Sequence, residues 1–177
     1  MAPLILEDKV STNRAAFVTR VRDIANKLGC DPNWLMGTMY LESGLLPTAK
    51  NPNGGATGLI QFMPKTAQGL GTTTAALEKM SNVQQLDYVY AYLKPWTGKF
   101  KSWFDLYLCI FYPAAIGQPD SYVLGNTPAM IALIAKQNAG FDVNHDGQIT
   151  KGEFRASYLK RLPAAYQSYL ATEKKSA

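Results

Sequence analysis

The sequence is poor in the residues from which most catalytic and metal sites are built. It has one histidine, His145, and two cysteines, Cys30 and Cys109, in 177 residues. A single histidine leaves no imidazole to activate a serine or cysteine nucleophile unless His145 itself serves, and it excludes a zinc site made of several histidines. The cysteines lie far apart in apolar surroundings and read as free buried thiols. Lys and Arg form no run interleaved with aromatics, and no zinc-finger spacing occurs, so nucleic acid is not an expected partner. No apolar run approaches the roughly 18 residues that a membrane span needs. The start, Met1 to Asp8, lacks the basic opening and the apolar stretch of a secretory signal. Carboxylate chemistry is what remains.

What is present fits one globular domain over residues 1–177, expected to be a monomer. The chain is 47% hydrophobic and 18% charged, enough for one substantial core. A formal net charge of +5 with a pI near 9.1 favours anionic polymers, bacterial cell wall among them.

The local signals are helical almost throughout. Ser11 is the expected cap of a helix with Phe17, Val21, Ile24 and Leu28 on one face, stopped by Gly29. Asp31-Pro32 opens a second helix, with Leu35, Met39 and Glu42 on one stripe and Gly44 at its end. Ser81 with Gln84 makes a capping box ahead of Val83, Leu86, Tyr90 and Leu93. Ser102 with Asp105 starts the apolar stretch Leu106 to Tyr112, which Pro113 closes. Thr127-Pro128 opens a helix from Met130 to about Asn138, and one or two more follow Thr150, interrupted by Pro163. Residues 51–58 read as a loop, Leu59 to Phe62 as a short extended piece, and 173–177 as a frayed basic tail. The expected fold is a compact all-α domain.

Glu42 stands out by its place. It shares a helical face with Leu35 and Met39, yet lies in the last turn, where the helix dipole is negative. Burial and the dipole both disfavour ionisation, as a general acid for glycoside cleavage requires.

The residues around it form a pattern. Glu42-Ser43-Gly44 is followed by Gly55-Ala56-Thr57-Gly58-Leu59-Ile60-Gln61 and then by Met63-Pro64-Lys65-Thr66-Ala67. This run resembles the signature of the soluble lytic transglycosylases, relatives of goose-type lysozyme, over roughly residues 30–117. The resemblance implies a lysozyme-like helical fold and cleavage of the β-1,4 bond between N-acetylmuramic acid and N-acetylglucosamine in peptidoglycan glycan strands. It makes Glu42 the catalytic acid, and Ser43 a neighbour that orients the carboxyl or touches the sugar. Gln61 becomes a substrate contact and Tyr112 the aromatic residue of the third motif. There the chain departs from the family's Tyr-Asn-x-Gly and reads Tyr112-Pro113-Ala114-Ala115-Ile116-Gly117. Asn138 is the candidate to replace the missing Asn.

Standard glycosidases use two carboxylates. After Glu42 the next acidic residue is Glu78, so residues 43–77 offer no second one. In the resembling family the substrate's own N-acetyl oxygen assists, and the C6 hydroxyl closes a 1,6-anhydro ring without a catalytic cofactor. A hydrolysing muramidase with Asp87, Asp105 or Asp120 as base is the alternative, and a noncatalytic calcium-dependent wall-binding module is another. Without a secretory signal, such an enzyme is expected to be made in the cytoplasm and brought to the wall as a phage virion-associated or lysis protein.

One further motif carries chemistry of its own. Residues 142–153 match the twelve-residue EF-hand loop. Asp142, Asn144 and Asp146 take the first, third and fifth positions, and Gly147 the sixth. Gln148 would offer its carbonyl, Thr150 its hydroxyl directly or through water, and Glu153 both carboxylate oxygens. Thr150 with Glu153 also reads as a capping box, which by itself would not call for the upstream residues. A single loop points to a structural calcium ion rather than a sensor, with His145 at a nonligating position.

Overall fold

The computed structural model describes residues 1–171, so the tail read at 173–177 lies outside the described residues. Among them are nine α-helices and no strand, only isolated β-bridges. The all-α expectation is borne out.

The first helix, α1 (Arg14–Leu28), buries Phe17, Val21, Ile24 and Leu28 and stops at Gly29, where φ is 71°. Its start differs from the sequence expectation. Ser11 does not cap it; Asn13, in the left-handed region at φ 50°, precedes the first turn without a side-chain cap. A long-range bond replaces the local one, since Asn82 Nδ2 donates to the Thr12 carbonyl at 2.7 Å. Here tertiary anchoring overrides a capping preference.

The next helix, α2 (Pro32–Ser43), begins as its sequence predicts. Asp31 accepts from the Asn33 amide at 2.8 Å, Pro32 occupies the first turn, and Gly44 ends the helix at φ 65°. Trp34, Leu35, Met36 and Met39 are buried on it, and it packs against α1 and two later helices, α6 (Trp103–Phe111) and α9 (Ala164–Ala171). Glu42 is thus carried on a helix clasped from several sides.

The segment after α2 is held by one buried amide. The extended piece expected at 59–62 amounts to bridge pairings of Thr57 with Lys50 and with Phe62. Gln85, wholly buried on α5 (Asn82–Leu93), accepts from the Leu59 amide at 2.9 Å and donates to the Pro47 and Leu77 carbonyls, both at 2.7 Å. Gly58 has φ 84°, and a Cβ there would lie 2.4 Å from the Gln85 carbonyl oxygen. Both the backbone angle and the close approach require glycine. Two short helices, α3 (Pro64–Gly69) and α4 (Thr74–Glu78), lead from this segment to α5, which starts on the predicted Ser81–Gln84 capping box.

The Ser102 cap starts α6 at Trp103, earlier than Leu106, because Trp103 and Phe104 also enter the core. It ends at Phe111, since proline at 113 pushes Tyr112 out of helical geometry, to φ −153° and ψ 80°. The chain then forms α7 (Pro128–Gln137), the loop at 142–150, α8 (Lys151–Leu159), and α9 beyond Pro163. Phe104, Tyr107 and Phe111 on α6 meet Phe154 and Tyr158 on α8, with ring centroids 4.3 Å apart for both Tyr107–Tyr158 and Phe111–Phe154. These positions follow helical spacing on both helices, so the rings form one aromatic seam. No disulfide joins Cys30 and Cys109.

Replacing Gln85 with Leu keeps the volume but strands the Leu59 N–H and two carbonyls in the core. Each orphaned group costs about 1–3 kcal/mol, so Gln85→Leu is expected to lose at least about 2 kcal/mol of stability in urea denaturation. A loss within about 0.5 kcal/mol, the size of an ordinary surface substitution, would show that the amide does not hold the segment.

Candidate active site

Glu42 ends α2 half-buried, with its carboxyl turned under the aromatic seam. Tyr158 donates to Glu42 Oε1 at a long 3.4 Å, and the Tyr107 hydroxyl also bonds the carboxyl. The pKa of Glu42 is raised. Burial is the largest cause, opposed by the hydrogen bonds from Tyr107 and Tyr158 and by the charge of Arg161. Desolvation favours the acid, whereas the phenols and the guanidinium favour the carboxylate. A group so poised can give up a proton and take one back.

The two phenols are dependable donors. Burial first, and the Glu42 charge next, push Tyr158 up to about 12 and Tyr107 upward as well. Both remain protonated across the range in which a carboxyl titrates.

Two spaces open among the neighbouring residues. A cavity of about 310 Å³ is lined by Tyr107, Tyr158, Asn138, Phe141 and Arg161 among others, and so reaches both phenols beside Glu42. A smaller recess of about 40 Å³ is lined by Gln61, Met63 and Tyr92 among others. Tyr92 also feels the Glu42 charge, after burial and Cys109.

The residues singled out from the sequence fall as follows. Ser43 Oγ sits 2.9 Å from both the Met39 and Leu59 carbonyls, tying the end of α2 to the loop. Gln61 Nε2 donates to the Ala49 and Gly58 carbonyls at 3.2 and 3.1 Å, which leaves its carbonyl oxygen for a ligand. Asn138 caps α7, donates from Nδ2 to the Ile134 carbonyl at 3.0 Å, and lines the larger cavity. Tyr112 lines neither space and shares a hydrogen bond with Tyr122.

Three residues of the site escaped the sequence reading. Tyr107 sits in an apolar stripe that reads as core, and Tyr158 and Arg161 lie more than a hundred positions from Glu42. The usable signal was the hydroxyl, because a buried tyrosine normally finds a partner for it.

The carboxylates that might assist as a base are engaged elsewhere. Asp87 pairs with Arg20 at 2.6 Å, Asp105 lies 3.8 Å from Lys151, and Asp120 pairs with Arg155. None of them is among the groups that shift Glu42.

The loop at 142–153 has the turn its sequence predicts. Asp142 accepts from the Asp146 and Gly147 amides at 3.1 and 3.0 Å, Asp146 accepts from the Gln148 amide at 2.9 Å, and Gly147 has φ 80°. His145 occupies the left-handed region at φ 58°. Glu153 Oε2 accepts from the Thr150 amide and hydroxyl at 3.0 and 2.7 Å, completing the capping box of α8. Those bonds hold its pKa low, helped by the Asn144 backbone and opposed by burial and by the like charge of Asp146. Among the described residues no three His, Cys, Asp or Glu side chains stand together as a ligand cluster. The all-oxygen donor set fits a hard cation in type and order, with Glu153 here serving the helix cap. Behind the loop, the Leu124 amide donates to the Ile149 carbonyl at 2.9 Å and the Lys151 amide to Tyr122 at 2.8 Å. The segment before α7 thereby braces the loop.

The transglycosylase SLT domain family model matches residues 20–109. The chain belongs to that family. Its members are glycosidic-bond lyases acting on peptidoglycan, and the matched stretch carries Glu42, Gln61 and Tyr107. No curated protein and no solved structure matches the chain. No helix among the described residues is long and apolar enough to cross a membrane.

Because the Tyr158 bond stabilises ionised Glu42, its loss raises the pKa of that carboxyl further. Tyr158→Phe is therefore expected to move the alkaline limb of the pH–rate profile for peptidoglycan cleavage to higher pH. An alkaline limb that stays put or moves to lower pH would remove Tyr158 from the acid's environment.

Proposed function

We propose that this SLT-family domain is a lytic transglycosylase that cuts the bond between N-acetylmuramic acid and N-acetylglucosamine, with Glu42 as its only catalytic carboxyl. The observation that carries the reading is the environment of Glu42: a carboxyl whose pKa burial raises against the pull of two phenols and an arginine, with Asp87, Asp105 and Asp120 each paired elsewhere.

The chemistry follows from that environment. Protonated Glu42 donates to the glycosidic oxygen as the C1–O bond breaks, and the N-acetyl carbonyl oxygen of the muramyl residue bonds to C1. Glu42, now a carboxylate held by Tyr107 and Tyr158, takes the proton of the C6 hydroxyl. O6 then displaces the N-acetyl oxygen at C1, giving the 1,6-anhydro ring and protonated Glu42 with no water consumed. Gln61 and Asn138, each with a side-chain carbonyl oxygen left over, hold the sugars on either side. Ser43 acts through the backbone it ties.

The experiment is Glu42→Gln, assayed on purified peptidoglycan with mass analysis of the products. Wild type should release fragments ending in 1,6-anhydro-N-acetylmuramic acid, one water lighter than hydrolysis products and inert to borohydride. The variant should lose at least about 100-fold in rate, the usual worth of a positioned acid. Reducible ends from wild type would move the protein to hydrolysis, and retained cleavage by the variant would remove Glu42. The same variant bears on stability. A raised folded-state pKa means that Glu42 favours the fold below its unfolded pKa, and that this contribution is lost as pH rises through the folded value. Glu42→Gln should therefore melt higher than wild type at neutral pH, with the gap closing in acid.

We further propose that residues 142–153 bind a calcium ion through Asp142, Asn144, Asp146, the Gln148 carbonyl, Thr150 and Glu153. The ion would supply cross-linking charge to the loop and no catalytic chemistry. Its service is to fix the start of α8, the helix that brings Tyr158 to Glu42. Calcium should raise the melting temperature of wild type relative to chelator, with little shift in Asp142→Ala or Glu153→Gln. Equal melting of wild type in calcium and chelator would refute the site.

A further inference from the structure

The larger cavity beside Glu42 has at its wall a cation whose charge reaches Glu42 but whose hydrogen-bond donors the glycan chemistry above does not use. Arg161 is exposed, and its guanidinium carbon lies 4.6 Å from the centroid of the Phe141 ring and 4.9 Å from that of Tyr158. Both rings belong to the buried core, so the guanidinium rests on a rigid aromatic shelf rather than swinging in solvent. Other arginines are engaged. Arg20 pairs with Asp23 and Asp87, Arg155 with Asp120, Arg22 bonds the Ala2 carbonyl, and Arg14 bonds the Val10 and Asp8 carbonyls. Among the described residues the Arg161 side chain has neither a hydrogen-bond acceptor nor an ion-pair partner. Five fixed donors with no protein acceptor, facing a cavity next to the cutting site, present a geometry suited to a planar anion.

We propose that Arg161 binds a carboxylate of the peptide borne by the muramyl residue, so that the enzyme prefers strands whose peptide carboxyls are free to strands in which they are amidated. This rests on the transglycosylase reading. Of the two sugars at the cut bond only the muramyl residue carries an acidic substituent, a peptide on its lactyl group with free carboxylates. The sugar rings are uncharged, and while the peptide is attached the lactyl carboxyl is tied up as an amide, so the carboxylates offered to a guanidinium are those of the peptide. The cavity, at about 310 Å³, has room for part of a muramyl peptide.

The test compares wild type, Arg161→Ala and Arg161→Lys on two substrates: peptidoglycan strands whose peptides keep their free carboxyls, and the same strands with those carboxyls amidated. Wild type should show a higher kcat/KM on the strands with free carboxyls. Arg161→Ala should reduce that preference by about tenfold, the worth of one charge-assisted bidentate contact, and Arg161→Lys should restore part of it. An equal loss on both substrates would mean that Arg161 only supports Tyr158 and would overturn the proposal, as would an unchanged preference. A binding arm separates this from the catalytic reading. In Glu42→Gln protein, N-acetylmuramyl tetrapeptide should bind about tenfold tighter than the same compound with its carboxyls amidated, and Arg161→Ala should erase the difference. If wild type cuts neither substrate, the transglycosylase reading fails while the binding arm still decides on Arg161. Equal binding of the acid and the amide would sink the proposal whatever the activity.

Discussion

The site depends on the burial of one carboxyl at the end of one helix. Taking Glu42 out of water opposes its ionisation, and that opposition outweighs the two phenols and the guanidinium that favour the charge. Nothing on α2 alone could achieve this. The cover is the aromatic seam between α6 and α8, where the tilted rings of Tyr107 and Tyr158 meet at 4.3 Å with their hydroxyls near the carboxyl. The same rings that exclude water supply the donors that stabilise Glu42 after it has given up its proton. The proposed mechanism, in which Glu42 serves as acid and then as base, calls for both influences.

This arrangement gives the C-terminal part of the chain a functional meaning. The family match ends at residue 109, within α6, and so takes in Glu42 and Tyr107 but neither Tyr158 nor Arg161. Those come from α8 and the turn beyond it, on the far side of the 142–153 loop. The loop's first duty is therefore geometric. Its backbone is tied to residues 120–124, Thr150 and Glu153 cap α8, and the buried Lys151 reaches the Gln118 carbonyl at 2.8 Å and stands 3.8 Å from Asp105 on α6. Under the proposed calcium reading, an ion in that loop would stiffen a lever whose other end touches the Glu42 carboxyl.

Much of this was legible in the sequence, for identifiable reasons. The Asp31-Pro32 start, the Ser81–Gln84 box and the Gly44 stop are local signals whose bonds form within one turn, and the structure bears them out. The Gly58 requirement was visible as a motif, but its cause, the approach of Gln85 from 27 residues away, was not. Ser11 misled because the true anchor, Asn82, is distant in sequence. The candidate site divides the same way. Glu42 declared itself by its stripe and its helix end. Tyr158 and Arg161 could not, because a tyrosine on a helical stripe reads as core and an exposed arginine reads as surface until the fold sets them beside a carboxyl. Ser43 and Gln61 stand where the motif led one to look, with their donors spent on the backbone.

The most direct measurement is the titration of Glu42 itself, followed by the ¹³C shift of its carboxyl in protein labelled at glutamate, with Glu42→Gln identifying the signal. The account predicts a midpoint above that of an ordinary glutamate, because desolvation outweighs the phenols and Arg161. A midpoint at or below the ordinary value would mean that the seam does not keep the acid protonated, and the mechanism built on it would fall.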